Sequence, residues 1–131
     1  MGRSRFSAPL LIVAALSASS VSANDREYTR AIENMLNLYA RNAGVLARCH
    51  EGPGEAGVER EADTIARWKH PGILAQVGGQ RTSYKNKILS SARSSFYSAR
   101  WGAECPGPMF IGTYKGMLET ASRSIEQYTQ D

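Results

Sequence analysis

The chain is poor in the residues that most often do chemistry. Its 131 residues include two histidines and two cysteines, whereas a zinc site alone needs three or four ligands. It has no Gly-x-Ser-x-Gly nucleophile elbow, no Cys-x-x-Cys pair and no phosphate loop of the Gly-x-x-x-x-Gly-Lys type. These absences exclude the recognisable serine-hydrolase, thiol-redox, haem-attachment and P-loop motifs. The sequence therefore predicts no catalytic residue, no metal ligand and no cofactor.

Long apolar runs are also scarce. One run covers residues 10–16, about a third of the roughly 20 residues that a helix needs to cross a bilayer. Arg3 and Arg5 precede this run, and the small residues Val21 and Ala23 follow it. A basic start, a short apolar core and a small-residue end are typical of a cleavable secretion signal.

This pattern divides the chain into a signal peptide over residues 1–23 and a single domain over residues 24–131. An uncleaved membrane anchor is the alternative, which the short apolar run disfavours. No later segment is apolar enough to span a bilayer, so we expect no stable membrane insertion of the mature chain. Removing Arg3 and Arg5 leaves fourteen Lys and Arg against twelve Asp and Glu. This weakly positive balance does not predict nucleic-acid binding.

The two cysteines, Cys49 and Cys105, both lie in the predicted mature domain. An even number of cysteines in an exported protein favours a disulfide, with two free buried thiols as the alternative. In the chain-entropy model, a bond that closes a loop of about 56 residues contributes about 4 kcal/mol of stability. The signal and the cysteines together predict a periplasmic or secreted protein.

Apolar residues recur at helical spacing, and no strand-like alternation competes with them. The predicted helices cover residues 25–49, 56–69, 82–101 and 108–128. Asn24 is predicted to cap the first, and the apolar segment 73–77 is predicted as a turn, or as a short fifth helix. Short connections favour an all-α, small antiparallel four-helix bundle. In that topology the first and third long helices end at the same side, which brings Cys49 and Cys105 together.

Acidic residues crowd the second predicted helix and the loop before it. They are Glu51, Glu55, Glu59, Glu61 and Asp63. We interpret them as a solvated face. The alternative is a pair of carboxylates that hydrolyses glycosidic bonds.

Basic residues dominate the next part of the chain. Residues 69–103 contain six Lys and Arg and no acid. On the third predicted helix, two arginines and two aromatic residues fall on one face at spacings of four and three. Such residue types dominate binding hot spots, and we expect a partner-binding surface for an acidic partner. Its candidate residues are Arg93, Tyr97, Arg100, Trp101, Arg81 and Lys85. The alternative is that Tyr97 and Trp101 pack into the core.

At the level of architecture alone, this layout resembles small disulfide-bonded helical periplasmic proteins such as amidase immunity proteins and helical lysozyme inhibitors. The resemblance implies a non-enzymatic binder and assigns no role to any residue. We therefore expect an exported inhibitor or immunity protein that acts on a cell-wall-degrading enzyme, with a protein partner in the cell envelope. Two alternatives remain: a structural or accessory envelope protein, which should expose an apolar patch, and a small cell-wall hydrolase.

Overall fold

The computed structural model describes residues 22–77 and 79–130. Within them the chain is all-helical and forms no strand. The five helices are α1 (Ala23–Ala47), α2 (Gly54–Ala66), α3 (Pro71–Val77), α4 (Arg81–Arg100) and α5 (Pro108–Tyr128). The all-α prediction is confirmed. The segment 73–77 belongs to α3, which is the short helix additional to the four long ones. The predicted signal peptide falls almost entirely on residues 1–21, which lie outside the described residues.

α1 is the central helix, since it contacts each of the other four. α1 and α4 run in the same direction. Near the start of α4 the hydroxyl of Tyr84 donates to Glu33 Oε2 of α1 over 2.9 Å. Near the end of α4 the carbonyl oxygen of Ala99 accepts from Nε of Arg48, which directly follows α1, over 2.6 Å. The two long helices therefore finish at the same end of the bundle, as the sequence predicted.

α5 runs antiparallel to α1. Lys115, near the start of α5, lies 2.7 Å from Glu51 just beyond the end of α1. At the opposite end, the rings of Tyr28 and Tyr128 meet edge-on with centroids 6.3 Å apart. α2 contacts α1, α4 and α5, whereas α4 and α5 scarcely touch each other.

The core is built from the apolar stripes of the helices. Its largest fully buried apolar side chains come from all five of them: Ile32, Leu36, Leu46, Val58, Ile65, Ile73, Phe96 and Ile125. Trp68, placed at the end of the second helix from the sequence, lies just beyond α2 and is also buried. Burial of side chains of this size contributes about 1.5–3 kcal/mol each, so the stripes supply the main stabilisation of the fold.

A glycine allows α1 and α4 to approach closely. A Cβ atom built on Gly44 would lie 2.3 Å from the carbonyl oxygen of Phe96 and 2.9 Å from the Cβ of Ala99. Backbone cannot move aside as a flexible side chain can. The absence of a side chain at Gly44 therefore permits the contact between α1 and α4.

The disulfide predicted from the two cysteines is present. Cys49 and Cys105 are bonded, with their Cα atoms 4.9 Å apart. Cys49 lies two residues past α1, and Cys105 lies in the connection between α4 and α5. The bond thus ties the common end of α1 and α4 to the loop that leads into α5. We call this the disulfide end.

Two local expectations need correction. The side-chain cap of α1 is Ser22, whose Oγ accepts from the backbone N–H of Asp25 over 3.1 Å, so Asn24 lies inside the helix. Glu61, assigned to a solvated face, is only 9% exposed. It flanks the apolar stripe of α2 closely enough to be covered by α5, where Ser122 Oγ donates to its carboxylate over 2.9 Å.

Candidate binding surface at the disulfide end

The last turns of α4 place the predicted aromatic and basic residues at the disulfide end. Trp101 is 68% exposed, so it does not pack into the core. Tyr97 is half-buried and packs edge-on against Phe96, with ring centroids 5.2 Å apart. The structure therefore leaves the indole at the surface, and it holds the phenol ring partly against the core.

The phenol of Tyr97 interacts with Glu55 of α2. Hydrogen bonding to that carboxylate is the main cause of a raised pKa for Tyr97, to which burial and the negative charge of Glu55 add, against smaller opposing effects of Arg100 and Arg93. The phenol is therefore protonated at neutral pH.

Arg100 and Trp101, which are neighbours in the sequence, also contact each other. The guanidinium carbon of Arg100 lies 5.7 Å from the centroid of the Trp101 ring, within the range of a cation–π contact. Arg93 is exposed, one turn before Tyr97. Neither arginine forms a salt bridge within the part of the chain that the structure describes. Their charges are therefore available to a partner.

Arg81 and Lys85 do not belong to the same surface. Arg81 begins α4 and Arg100 ends it, a separation of about 28 Å along a helix that rises about 1.5 Å per residue. Lys85 Nζ faces α2, 3.5 Å from Glu59 and 3.7 Å from Asp63. The structure thus separates these two basic residues from the aromatic pair and assigns Lys85 to a contact between helices.

Two exposed apolar residues of this end are absent from the sequence-based candidates. Met109 is 87% exposed and Phe110 is 59% exposed, both in the first turn of α5. Phe110 continues the stripe of Tyr114 and Leu118 at spacings of four, so its periodicity is that of a core residue. The two buried residues of α5, Ala121 and Ile125, both lie in its second half, so the neighbouring helices do not cover the beginning of α5. The sequence feature that could have indicated these exposed residues is a Met-Phe pair directly after Pro108, at the start of a helix.

A cleft of about 350 Å³ adjoins this surface. It includes His50, Glu51, Glu55, Tyr97 and Arg100. One of the two carboxylates, Glu51, lies 2.7 Å from Lys115 Nζ, and the other, Glu55, interacts with the hydroxyl of Tyr97. The lining of the cleft therefore combines two carboxylates, one guanidinium and one imidazole.

The second histidine, His70, lies at the opposite end of the bundle. Its Nδ1 accepts from the backbone N–H of Gly72 over 3.1 Å, and its Nε2 lies 3.3 Å from Asp25 Oδ1. The ring also stacks on Trp68, with centroids 4.4 Å apart. Both ring nitrogens are therefore used to join α1 to the start of α3.

Comparison with protein-family models, curated proteins and solved structures found no match to this chain. Among the described residues, no helix combines the length and the apolar character needed to cross a membrane. Nor do three or more His, Cys, Asp or Glu residues come together as a metal site in that part of the chain.

Proposed function

We propose that this chain is an exported binding protein that engages a protein partner in the cell envelope through its disulfide end. The contact surface consists of Tyr97, Arg100, Trp101, Met109 and Phe110. The observation that supports it best is the exposure of three large apolar side chains within ten residues, with Trp101 at 68%, Met109 at 87% and Phe110 at 59%.

The composition of this surface is that of a binding hot spot. Aromatic residues, Met and Arg are enriched where protein interfaces are buried, and Trp, Tyr and Arg dominate the measured energies. Arg100 and Tyr97 supply polar groups at the margin of the apolar residues. An interface of this kind needs no catalytic residue.

The disulfide supports the same proposal through rigidity. The surface spans the end of α4 and the beginning of α5, which would otherwise be joined by a free loop. The bond from Cys49 to Cys105 anchors that loop to α1. Holding the contact residues in place before binding reduces the entropy lost on association. A disulfide of this kind forms and persists in an oxidising compartment, in accordance with export to the periplasm or beyond.

The narrower proposal is that the partner is a cell-wall-degrading enzyme and that the chain is its inhibitor or immunity protein. A rigid helical scaffold with an exposed aromatic surface at one end is sufficient to occlude an enzyme cleft. The competing proposal is an accessory or assembly subunit of the envelope. Met117, 40% exposed on α5, extends the apolar surface and favours that role, because subunit interfaces are larger and more apolar.

The test is capture of partners from an envelope extract with the oxidised protein. The variant Trp101→Ala with Phe110→Ala should abolish capture, whereas Tyr128→Ala, an exposed aromatic of the opposite end, should leave it intact. Capture of a muramidase or amidase, with inhibition of its activity, supports the inhibitor. Capture of a structural envelope protein supports the assembly subunit. Equal capture by all three proteins, or wall hydrolysis by the pure chain, overturns the proposal.

A further inference from the structure

A second surface lies between α1 and α4, on a different side of α4 from Arg93, Tyr97 and Arg100. It is a groove of about 410 Å³. Its polar lining consists of two guanidinium groups and three hydroxyls, over a floor that includes Val45. The lining residues are Arg41, Val45, Arg48, Ser94, Ser95, Ser98 and Ala99.

Small residues on α1 and α4 shape this groove. Gly44 brings α4 against α1, and the serines leave the outer side of α4 without bulk. Arg41, Val45 and Arg48 recur at spacings of four and three, so they share one side of α1. Long basic side chains on one helix thus face short hydroxyl side chains on the next.

The two arginines are uncompensated. No acidic side chain lines the groove. Arg48 is held by the hydrogen bond from its Nε to the carbonyl oxygen of Ala99, which leaves its two terminal nitrogens for a ligand. Arg41 is exposed and has no salt bridge within the described residues. The groove therefore presents two positive charges, one of them fixed in orientation.

We propose that this groove binds a phosphomonoester, a phosphate group attached through one oxygen. Such a group has a charge of about −1.5 to −2 at neutral pH and three strong acceptor oxygens. The two positive charges of Arg41 and Arg48 match that charge. Each guanidinium group can donate two parallel hydrogen bonds to two oxygens of a phosphate. The hydroxyls of Ser94, Ser95 and Ser98 supply further donors for the third oxygen.

A carboxylate fits the groove less well. It has a single charge and two oxygens, both of which one guanidinium can satisfy. The second arginine and the serines would then remain without an anionic partner. The number of charges and donors, rather than the positive sign alone, selects the phosphomonoester.

The test is a calorimetric titration of the oxidised protein with glucose 1-phosphate and, separately, with glucuronate. Vesicles of phosphatidylcholine with and without phosphatidic acid present the same phosphate chemistry as a lipid headgroup. Glucose 1-phosphate should bind about tenfold or more tightly than glucuronate, if one extra charged hydrogen bond forms. Binding to phosphatidic acid vesicles alone would assign the phosphate to a lipid source.

The decisive variant is Arg41→Gln, since Arg41 is exposed and its replacement leaves the packing intact. It should weaken phosphomonoester binding about tenfold. Arg30→Gln is the matched control, because Arg30 is exposed on the same side of α1 but about 16 Å before Arg41. Equal weakening by both variants, glucuronate binding as tight as phosphate binding, or no binding to either phosphate source overturns the proposal. Trp101→Ala with Phe110→Ala should not change phosphate binding, so the two proposals fail separately.

Discussion

Arg48 and Ala99 are joined by a hydrogen bond of 2.6 Å from the guanidinium Nε to a backbone carbonyl. The contact links the ends of α1 and α4. Arg48 directly precedes Cys49 in the sequence, and Ala99 lies two residues before Trp101. It also orients the guanidinium in the groove between these helices. One side chain thus belongs both to the framework of the disulfide end and to the proposed phosphate site.

Gly44→Ala should destabilise the protein. The new methyl group would meet the backbone oxygen of Phe96 at 2.3 Å, and overpacking of this kind costs about 1–3 kcal/mol. Urea denaturation measures the loss. Gly116→Ala is the control, because a Cβ there has nothing within 4 Å and alanine favours a helix interior by about 0.5–1 kcal/mol. If both variants gained stability, the close approach of α1 and α4 would be refuted.

Removal of the disulfide should lower stability more than most single core substitutions. Replacing both Cys49 and Cys105 with alanine releases a closed loop of 56 residues, worth about 4 kcal/mol in the chain-entropy model. Urea denaturation with and without reductant provides the measurement. Reductant should destabilise the natural protein and leave the variant unchanged. A natural protein that reacts with two equivalents of a thiol reagent under native conditions would contradict the bond.

Glu61→Gln should stabilise the protein at neutral pH. Burial is the main cause of the raised pKa of Glu61, opposed by the hydrogen bond from Ser122. The folded state therefore binds this proton more tightly than the unfolded state does, so stability falls as the pH rises from the unfolded pKa through the folded one. The gain in stability from Glu61→Gln should be absent at pH values below about 4.3, the ordinary pKa of a glutamate, because the carboxyl group of the natural protein is then protonated in both the folded and the unfolded state.

Denaturation of this variant at a series of pH values tests the assignment. Glu119→Gln serves as the control, because the Glu119 side chain is 70% exposed and, among the residues that the structure describes, forms a salt bridge only with Arg123, at 3.6 Å. It should leave the pH dependence of stability almost unchanged. An identical pH dependence in the natural protein and the Glu61 variant would show that the carboxylate is solvated.

Export should remove residues 1–23. The mass of the exported protein should then correspond to residues 24–131 with one disulfide, and Ala23→Arg should block cleavage because the peptidase requires a small residue there. Cleavage also removes Ser22, the cap of α1. Asn24 then becomes the first residue, where its side chain can accept from the exposed N–H groups of the helix. An exported protein that retains its first 23 residues would contradict the signal.

The positions of the helices and the pairing of the two cysteines follow from the sequence. Apolar residues repeating every three to four positions specify a helix wherever a neighbouring surface can bury them. Glycine and proline mark the connections, and the alternating direction of four helices brings Cys49 and Cys105 to one end. These features depend on local conformation and chain order, both of which can be read along the sequence.

The tertiary structure alone decided which side chains are exposed. Periodicity identifies the apolar side of a helix but not how far its neighbours extend along it. Phe110 therefore has the spacing of a core residue and lies at the surface, whereas Glu61 has a charged side chain and lies beneath α5. The groove of Arg41 and Arg48 exists only because Gly44 sets the distance between two helices that are remote in sequence.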